Sequence, residues 1–223
     1  KNLESIKDSV LHLEVNSSKM SLKILLSCSN LKTLSIFECW FEEDIDKLEL
    51  PEWNLDEMVL HYPDRPIPDQ VFNMLKKSSI QRLSIEVFYM KIFTFDQFLC
   101  HHHELNELDM RIVDYAILSR NSKLLFEEDT LQHIKFRLKC LKFYSHNYER
   151  FGTFLALHKD TLEHFGMPEI NHEIAELLNN FPKLYSLEME EISLNFTRTE
   201  NIKTLKIDGA VPDSLSQQFP SVA

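Results

Sequence analysis

Nine short segments of this chain carry apolar side chains at their first, fourth and sixth positions, and nothing else in the sequence narrows the possible folds as much. Among them are Leu31-Leu34-Ile36, Ile80-Leu83-Ile85, Leu105-Leu108-Met110, Leu184-Leu187-Met189 and Ile202-Leu205-Ile207. Leu138-Leu141-Phe143 and Leu162-Phe165-Met167 include an aromatic, and Val10-Leu13-Val15 and Leu55-Met58-Leu60 complete the set. Positions four and six of an extended strand lie on one side of it. A strand followed by a return segment buries only one edge of itself, so such units must stack to make a continuous core.

Successive first positions are 21, 24, 25, 25, 33, 24, 22 and 18 residues apart. Most of these intervals fall in the range of roughly 20–29 residues expected of leucine-rich repeats. The expected fold class is therefore α/β: a leucine-rich repeat solenoid of about nine irregular repeats. Its parallel sheet would line a concave face, with helices and loops on the convex face. The whole of 1–223 is expected to be one such domain, a fragment truncated at both ends. Helical spacing in the return segments predicts a second apolar layer from Leu22-Leu25-Leu26, Val71-Phe72-Met74-Leu75, Phe95-Phe98-Leu99, Phe151-Phe154-Leu155 and Ile174-Leu177-Leu178. The 33-residue interval holds two candidates for the sixth strand, because Leu131-Ile134-Phe136 fits the template as well as Leu138-Leu141-Phe143. Leu138 is the better anchor, since the run 137–144 leads into a short helix at ordinary spacing. The other segment becomes an inserted or half-formed turn.

Composition removes several function classes. With only Gly152, Gly166 and Gly209, the chain has no glycine-rich phosphate loop, dinucleotide fingerprint or nucleophile elbow. A net charge of −11 disfavours nucleic acid and anionic membrane, and weakly favours basic partners. No run of eighteen apolar residues suggests a membrane span. Cys28, Cys39, Cys100 and Cys140 are widely spaced and form no CxxC pair, so they are expected as thiols of a reducing compartment. The sequons Asn16-Ser17-Ser18 and Asn195-Phe196-Thr197 carry little weight without a signal peptide. The opening Lys1-Asn2-Leu3-Glu4-Ser5 has no apolar signal region, and the expected location is the cytoplasm or the nucleus.

Cys39 stands at position nine of its repeat, so that unit resembles the cysteine-containing class of leucine-rich repeats common in F-box proteins. Residues 137–165 contain Arg137-Leu138-Lys139-Cys140-Leu141-Lys142-Phe143, Phe151-Gly152-Thr153-Phe154-Leu155-Ala156-Leu157-His158 and Asp160-Thr161-Leu162-Glu163-His164-Phe165. This stretch resembles the irregular repeats of insect F-box/LRR proteins, and the repeat style extends that resemblance over most of the chain. The pattern departs from the family at position nine elsewhere, where Phe88, Val113, Ile192 and Ala210 stand in place of cysteine. The resemblance implies an F-box outside this chain that contacts a Skp-type adaptor. The repeats would then present a protein target to a cullin–RING ubiquitin ligase. A scaffold or inhibitor outside ubiquitin transfer is the alternative.

Positions three, five and seven of each unit should point away from the core. From that surface the candidate partner-binding residues are Phe37, Glu57, His61, Arg82, Glu86, Glu107, Asp109, Arg111, Lys142 and Tyr144. Phe37 and Tyr144 are the expected anchors, since exposed aromatics dominate hot spots. The competing reading is a solvated sheet face whose charges pair with one another. Trp40 and Trp53 are expected to pack in the loops flanking strands. Cys100-His101-His102-His103, with Glu104, looks like a metal motif, but adjacent histidines on a helix point apart and a structural zinc needs about four converging ligands. Histidines at a helix C-terminus also meet its negative dipole end. No metal or cofactor is expected. Nor is an enzyme, because the scattered Ser, His and Asp residues converge on no position.

Overall fold

In a computed structural model of the 223-residue chain, the structure describes residues 9–16, 19–20, 25, 27–41, 51–64, 67–87, 92–112, 128–144, 151–190 and 201–209. Each of the nine 1-4-6 segments forms a strand. They are β1 (His12–Asn16), β3 (Thr33–Phe37), β5 (Asn54–Tyr62), β6 (Ser79–Val87), β7 (Glu107–Ile112), β8 (Cys140–Tyr144), β9 (His164–Gly166), β10 (Ser186–Met189) and β11 (Thr204–Ile207). Their order in the nine-stranded sheet is the order of the chain, β1-β3-β5-β6-β7-β8-β9-β10-β11. Two shorter strands, β2 (Lys19–Met20) and β4 (Trp40–Phe41), pair in parallel outside it. Parallel neighbours in sequence order, each joined by a return segment, make this an α/β solenoid of leucine-rich repeats.

Register explains why the spacing within each repeat matters more than the spacing between repeats. The pairs from β1 to β6 align equal positions: Leu13 with Leu34, Leu34 with Met58, and Met58 with Leu83 at position four. Val15, Ile36, Leu60 and Ile85 align the same way at position six. Apolar ladders therefore run across the strands, and positions four and six of β3, β6 and β10 are buried.

The return segments add the expected second layer. Helix α1 (Asp69–Leu75) buries Val71, Phe72, Met74 and Leu75, and α2 (Ile92–Leu99) buries Phe95, Phe98 and Leu99. Next come the short α3 (Glu128–Leu131) and α4 (Phe151–Ala156), which buries Phe151, Phe154 and Leu155. Helix α5 (His172–Leu178) is capped by Asn171, whose side-chain oxygen accepts from the Ile174 N–H at 2.9 Å. On α5 the buried residues are Ile174, Ala175 and Leu178; Leu177, expected in the core, is half-buried. Small Ala175 takes the inward place instead. Leu25 is buried as expected, while Leu22 and Leu26 lie outside the described residues. The sixth strand rises from fully buried Leu138, as preferred, and Leu131 ends α3. Ile134 and Phe136 are buried in the connection between them, outside any strand.

The chain divides into two compact units, residues 1–105 with 111–136, and residues 106–110 with 137–223. In the first, Phe72, Phe95 and Phe98 form an aromatic cluster, with Phe72 and Phe98 centred 5.1 Å apart. In the second, Phe143 stacks on Phe151 at 4.4 Å, and Phe165 lies 6.2 Å from the same ring.

Polar groups stitch the repeats below and above the strands. The buried Trp53 indole N–H donates to the Cys28 carbonyl at 2.7 Å, and the Trp53 backbone N–H donates to Ser78 Oγ at 3.3 Å. Tyr62 donates to the Cys39 carbonyl at 3.0 Å, and the Cys39 thiol turns to the Val15 carbonyl at 3.4 Å. In the second unit Thr161 Oγ1 donates to the Leu138 carbonyl at 2.8 Å. Buried backbone groups need such partners, and side chains one repeat away supply them.

Candidate interaction face

The register that aligns the buried ladders also aligns the residues between them. In the first unit, position three gives the row His12, Thr33, Glu57 and Arg82. Position five gives Glu14, Ser35, Val59 and Ser84, and position seven gives Asn16, Phe37, His61 and Glu86. All twelve side chains are exposed or half-buried. The structure brings Phe37, His61 and Glu86 together: the Phe37 and His61 rings are 5.5 Å apart, and His61 Nδ1 lies 3.4 Å from Glu86 Oε2. Glu57 and Arg82 stand opposite each other in register. Arg111 is exposed near the end of β7.

In the second unit Cys140, His164, Ser186 and Thr204 align at position three, and Lys142, Gly166, Glu188 and Lys206 at position five. The Lys139 and Cys140 N–H groups both donate to the Asn106 carbonyl, which sets Glu107 beside Cys140. Lys142 crosses above Gly166 to reach Glu188, with Nζ to Oε2 at 2.7 Å. A Cβ on residue 166 would lie 3.1 Å from Lys142 Cγ, so glycine is what lets this lysine span a strand. Lys206 holds the other Glu188 oxygen at 2.8 Å and lies 3.4 Å from Asp208. Burial opposes the charge on Glu188, but hydrogen bonds and charge from both lysines outweigh it and hold the carboxyl at about 2. The bond to Glu188 raises Lys142 and Lys206 above the ordinary lysine value.

Tyr144 departs from expectation. It is only 8% exposed and cannot serve as an open aromatic anchor. Its hydroxyl lies beside Gly166, 3.5 Å from where a Cβ of that residue would stand. Among the described residues of this unit the exposed aromatic is Tyr185, which is 36% exposed. Its hydroxyl meets His164 Nε2 at 2.9 Å and the two rings sit edge to face. Tyr185 falls at position two, outside both the core and the face patterns, and no spacing signal marks it. Glu188 sits at a face position, yet its role as the hub for two lysines depends on neighbours 46 residues (142 to 188) and 18 residues away.

Cys140 and His164 are register neighbours, which invites comparison with a thiol–imidazole dyad. The chemistry opposes it. Burial, reinforced by the charges of Glu107, Asp109 and Glu188 against that of Lys142, pushes the Cys140 thiol up to about 11. The thiol therefore stays protonated at neutral pH and is a weak nucleophile. The His tract diverges in the same way: His101 Nδ1 turns to the Gln97 carbonyl, His102 is buried against Phe98, and Cys100 points to the Thr130 carbonyl. Among the described residues no three His, Cys, Asp or Glu side chains are grouped to hold a metal ion. No disulfide links Cys28, Cys39, Cys100 and Cys140. No described helix is long and apolar enough to cross a membrane.

No family model matches the sequence, and no curated protein matches it. Two solved structures resemble the fold. One is an internalin from Listeria monocytogenes str. 4b F2365, with 11% identity and a TM-score of 0.44 over 98% of this chain and 67% of that one. The other is an LRR protein of Leptospira interrogans, with 12% identity and a TM-score of 0.35 over 99% of this chain and 73% of that one.

Proposed function

We propose that this chain is a protein-binding module that works through the solvent-facing residues of its strands, without catalysis, nucleic acid or membrane. The observation that carries this reading is the in-register row Phe37, His61 and Glu86, beside Glu57 and Arg82, on a rigid sheet. An aromatic among positioned charges is the composition of a binding hot spot. Face side chains at strand spacing of about 4.8 Å suit an extended protein surface better than a small metabolite.

The more specific reading is that these are the substrate-recognition repeats of an F-box-type receptor for a cullin–RING ubiquitin ligase, acting in the cytoplasm or nucleus. An F-box outside this chain would hold the Skp-type adaptor. Cys39 at position nine and the style of residues 137–165 support it. A scaffold or inhibitor outside ubiquitin transfer is favoured by the other repeats, which lack that cysteine. Affinity purification of the full-length protein with mass spectrometry separates the two. Recovery of a Skp-type adaptor and cullin supports the receptor, while stoichiometric capture of a partner without them supports the scaffold. A Phe37→Ala/Arg82→Glu variant should lose the partner and keep any adaptor. Unchanged capture by that variant would remove the face from the account.

A further inference from the structure

The tract Cys100-His101-His102-His103 lies in the turn between α2 and β7 and takes no part in the strand face. Its middle histidine is 1% exposed, while His101 and His103 on either side are open to solvent. The His102 ring packs on Phe98 at 4.2 Å, and among the described residues neither of its nitrogens makes a hydrogen bond of good geometry. A charged imidazole would be costly there, so the closed turn holds the ring neutral. The Ser78 backbone faces it from the preceding repeat and favours the charged form, while His101 and His103 oppose it. Glu104 is engaged by Ser79 Oγ, and the Cys100 thiol points to the Thr130 carbonyl. The backbone at His102 is a hinge. Its N–H donates to the Leu99 carbonyl at 3.2 Å, and its carbonyl accepts from Leu105, the first position of the next repeat, at 3.3 Å. Phe181 makes the same pair of bonds, to Leu178 and from Leu184, and is equally buried. An apolar ring fills this place in another repeat, so packing alone does not call for a histidine.

We propose that residues 99–105 form an acid-released latch: when His102 takes up a proton the turn opens locally, freeing the start of β7 while the other strands stay folded. The opening is local because little is broken, namely two backbone bonds at the long end of the range and one ring contact. His158, at the matching place of a later repeat, is tied more firmly. Its ring accepts from the Leu138 N–H, and its carbonyl takes both Thr161 and Leu162. Burial holds His102 at about 4 in the closed turn, against 6.5 in water. The open turn therefore gains protons, and stability, as pH falls through that interval. Positive charge on His101 and His103 adds to the resistance against closing. The latch stands apart from whatever docks on the strands.

The test is hydrogen–deuterium exchange of the purified chain at pH 7 and pH 5, read by mass spectrometry and corrected for the intrinsic change in exchange rate. The opening equilibrium of 99–105 should rise about twentyfold at the lower pH, as a group held at about 4 when closed and 6.5 when open requires. Exchange in β5, β6 and β10 should rise far less. His102→Phe should keep the fold, as Phe181 does in its own repeat, and remove the response of 99–105. His101→Gln/His103→Gln retains the buried ring and should retain most of the response, and it decides the matter if His102→Phe does not fold. A wild-type change of less than about threefold at 99–105 overturns the proposal. So does an equal rise in all strands, which is global unfolding. Survival of the response in His102→Phe, or its loss in His101→Gln/His103→Gln, assigns it to other groups and overturns the latch as well.

Discussion

His158 Nδ1 accepts a hydrogen bond from the backbone N–H of Leu138 at 3.2 Å, joining the turn after one return helix to the residue two places before the preceding strand. The imidazole is fully buried and packs edge-on to Phe154 at 4.8 Å. Accepting at Nδ1 requires the neutral ring. His158→Phe preserves an aromatic against Phe154 but leaves the Leu138 N–H facing carbon. Denaturant unfolding should show a loss of about 1–3 kcal/mol, the cost of a buried donor without an acceptor. A midpoint within error of wild type would show that the bond contributes nothing.

Acid should weaken the fold earlier than carboxylate titration alone would. Burial, with the charge of Arg137, pushes His158 from 6.5 down to about 3. Burial likewise pushes His102 to about 4; the Ser78 backbone opposes this, without a hydrogen bond of good geometry, and the charges of His101 and His103 add to it. Both groups take up protons more readily when unfolded. Their contribution is complete above about pH 6.5 and is lost as pH falls, towards about 4 for His102 and about 3 for His158. Each histidine should give a slope of about 1.4 kcal/mol per pH unit inside its window. Glu188, held at about 2 against 4.5, adds a decline in the same direction below about pH 4.5. Urea midpoints between pH 7 and 5 check this: wild type should fall, and His158→Phe should fall less steeply.

The crossing of Lys142 over Gly166 sets up a reversal of sign. Alanine in a strand stiffens the unfolded chain and ordinarily gains about 0.4–1 kcal/mol over glycine. Here the new methyl would meet Lys142 Cγ, and that lysine is held at its far end by Glu188. Gly166→Ala should therefore destabilise the wild type and stabilise a Lys142→Ala background. A double-mutant cycle measures the coupling, and equal effects in both backgrounds would contradict the contact.

Trp53 is 1% exposed, and its indole N–H reaches back 25 residues to Cys28. Trp53→Phe loses that bond and leaves unfilled volume, so a loss of about 2–4 kcal/mol is expected. Thermal melts followed by circular dichroism give the value.

The strands were legible in the sequence because residues at positions four and six face one side of a strand, and burying that side is what holds the repeats together. Leu131 and Leu138 both fit that pattern, and the short helix at ordinary spacing after 137–144 decided for Leu138. What the pattern could not show were relations between repeats. Tyr144 is buried although it stands at a face position, with its hydroxyl close to Gly166 on the next strand. Glu188 is a hub because Lys142 can cross that glycine. His102 and His158 lie three and four residues before Leu105 and Leu162, outside the 1-4-6 window, so nothing marked them as buried. Leu177 yielded its inward place on α5 to Ala175, a choice that depends on how the helix rolls on its neighbours.

The strand register separates by parity what the molecule shows from what holds it together. Within the strands positions four and six pack and most of positions three, five and seven meet solvent, so evolution can rewrite that outward set, reversing its charge or adding rings, with the packing undisturbed. Insertion of a single residue into any of these strands would exchange the two sets and put leucines in water. Duplication or loss of a whole repeat keeps the parity, and is the change in length that this architecture can absorb.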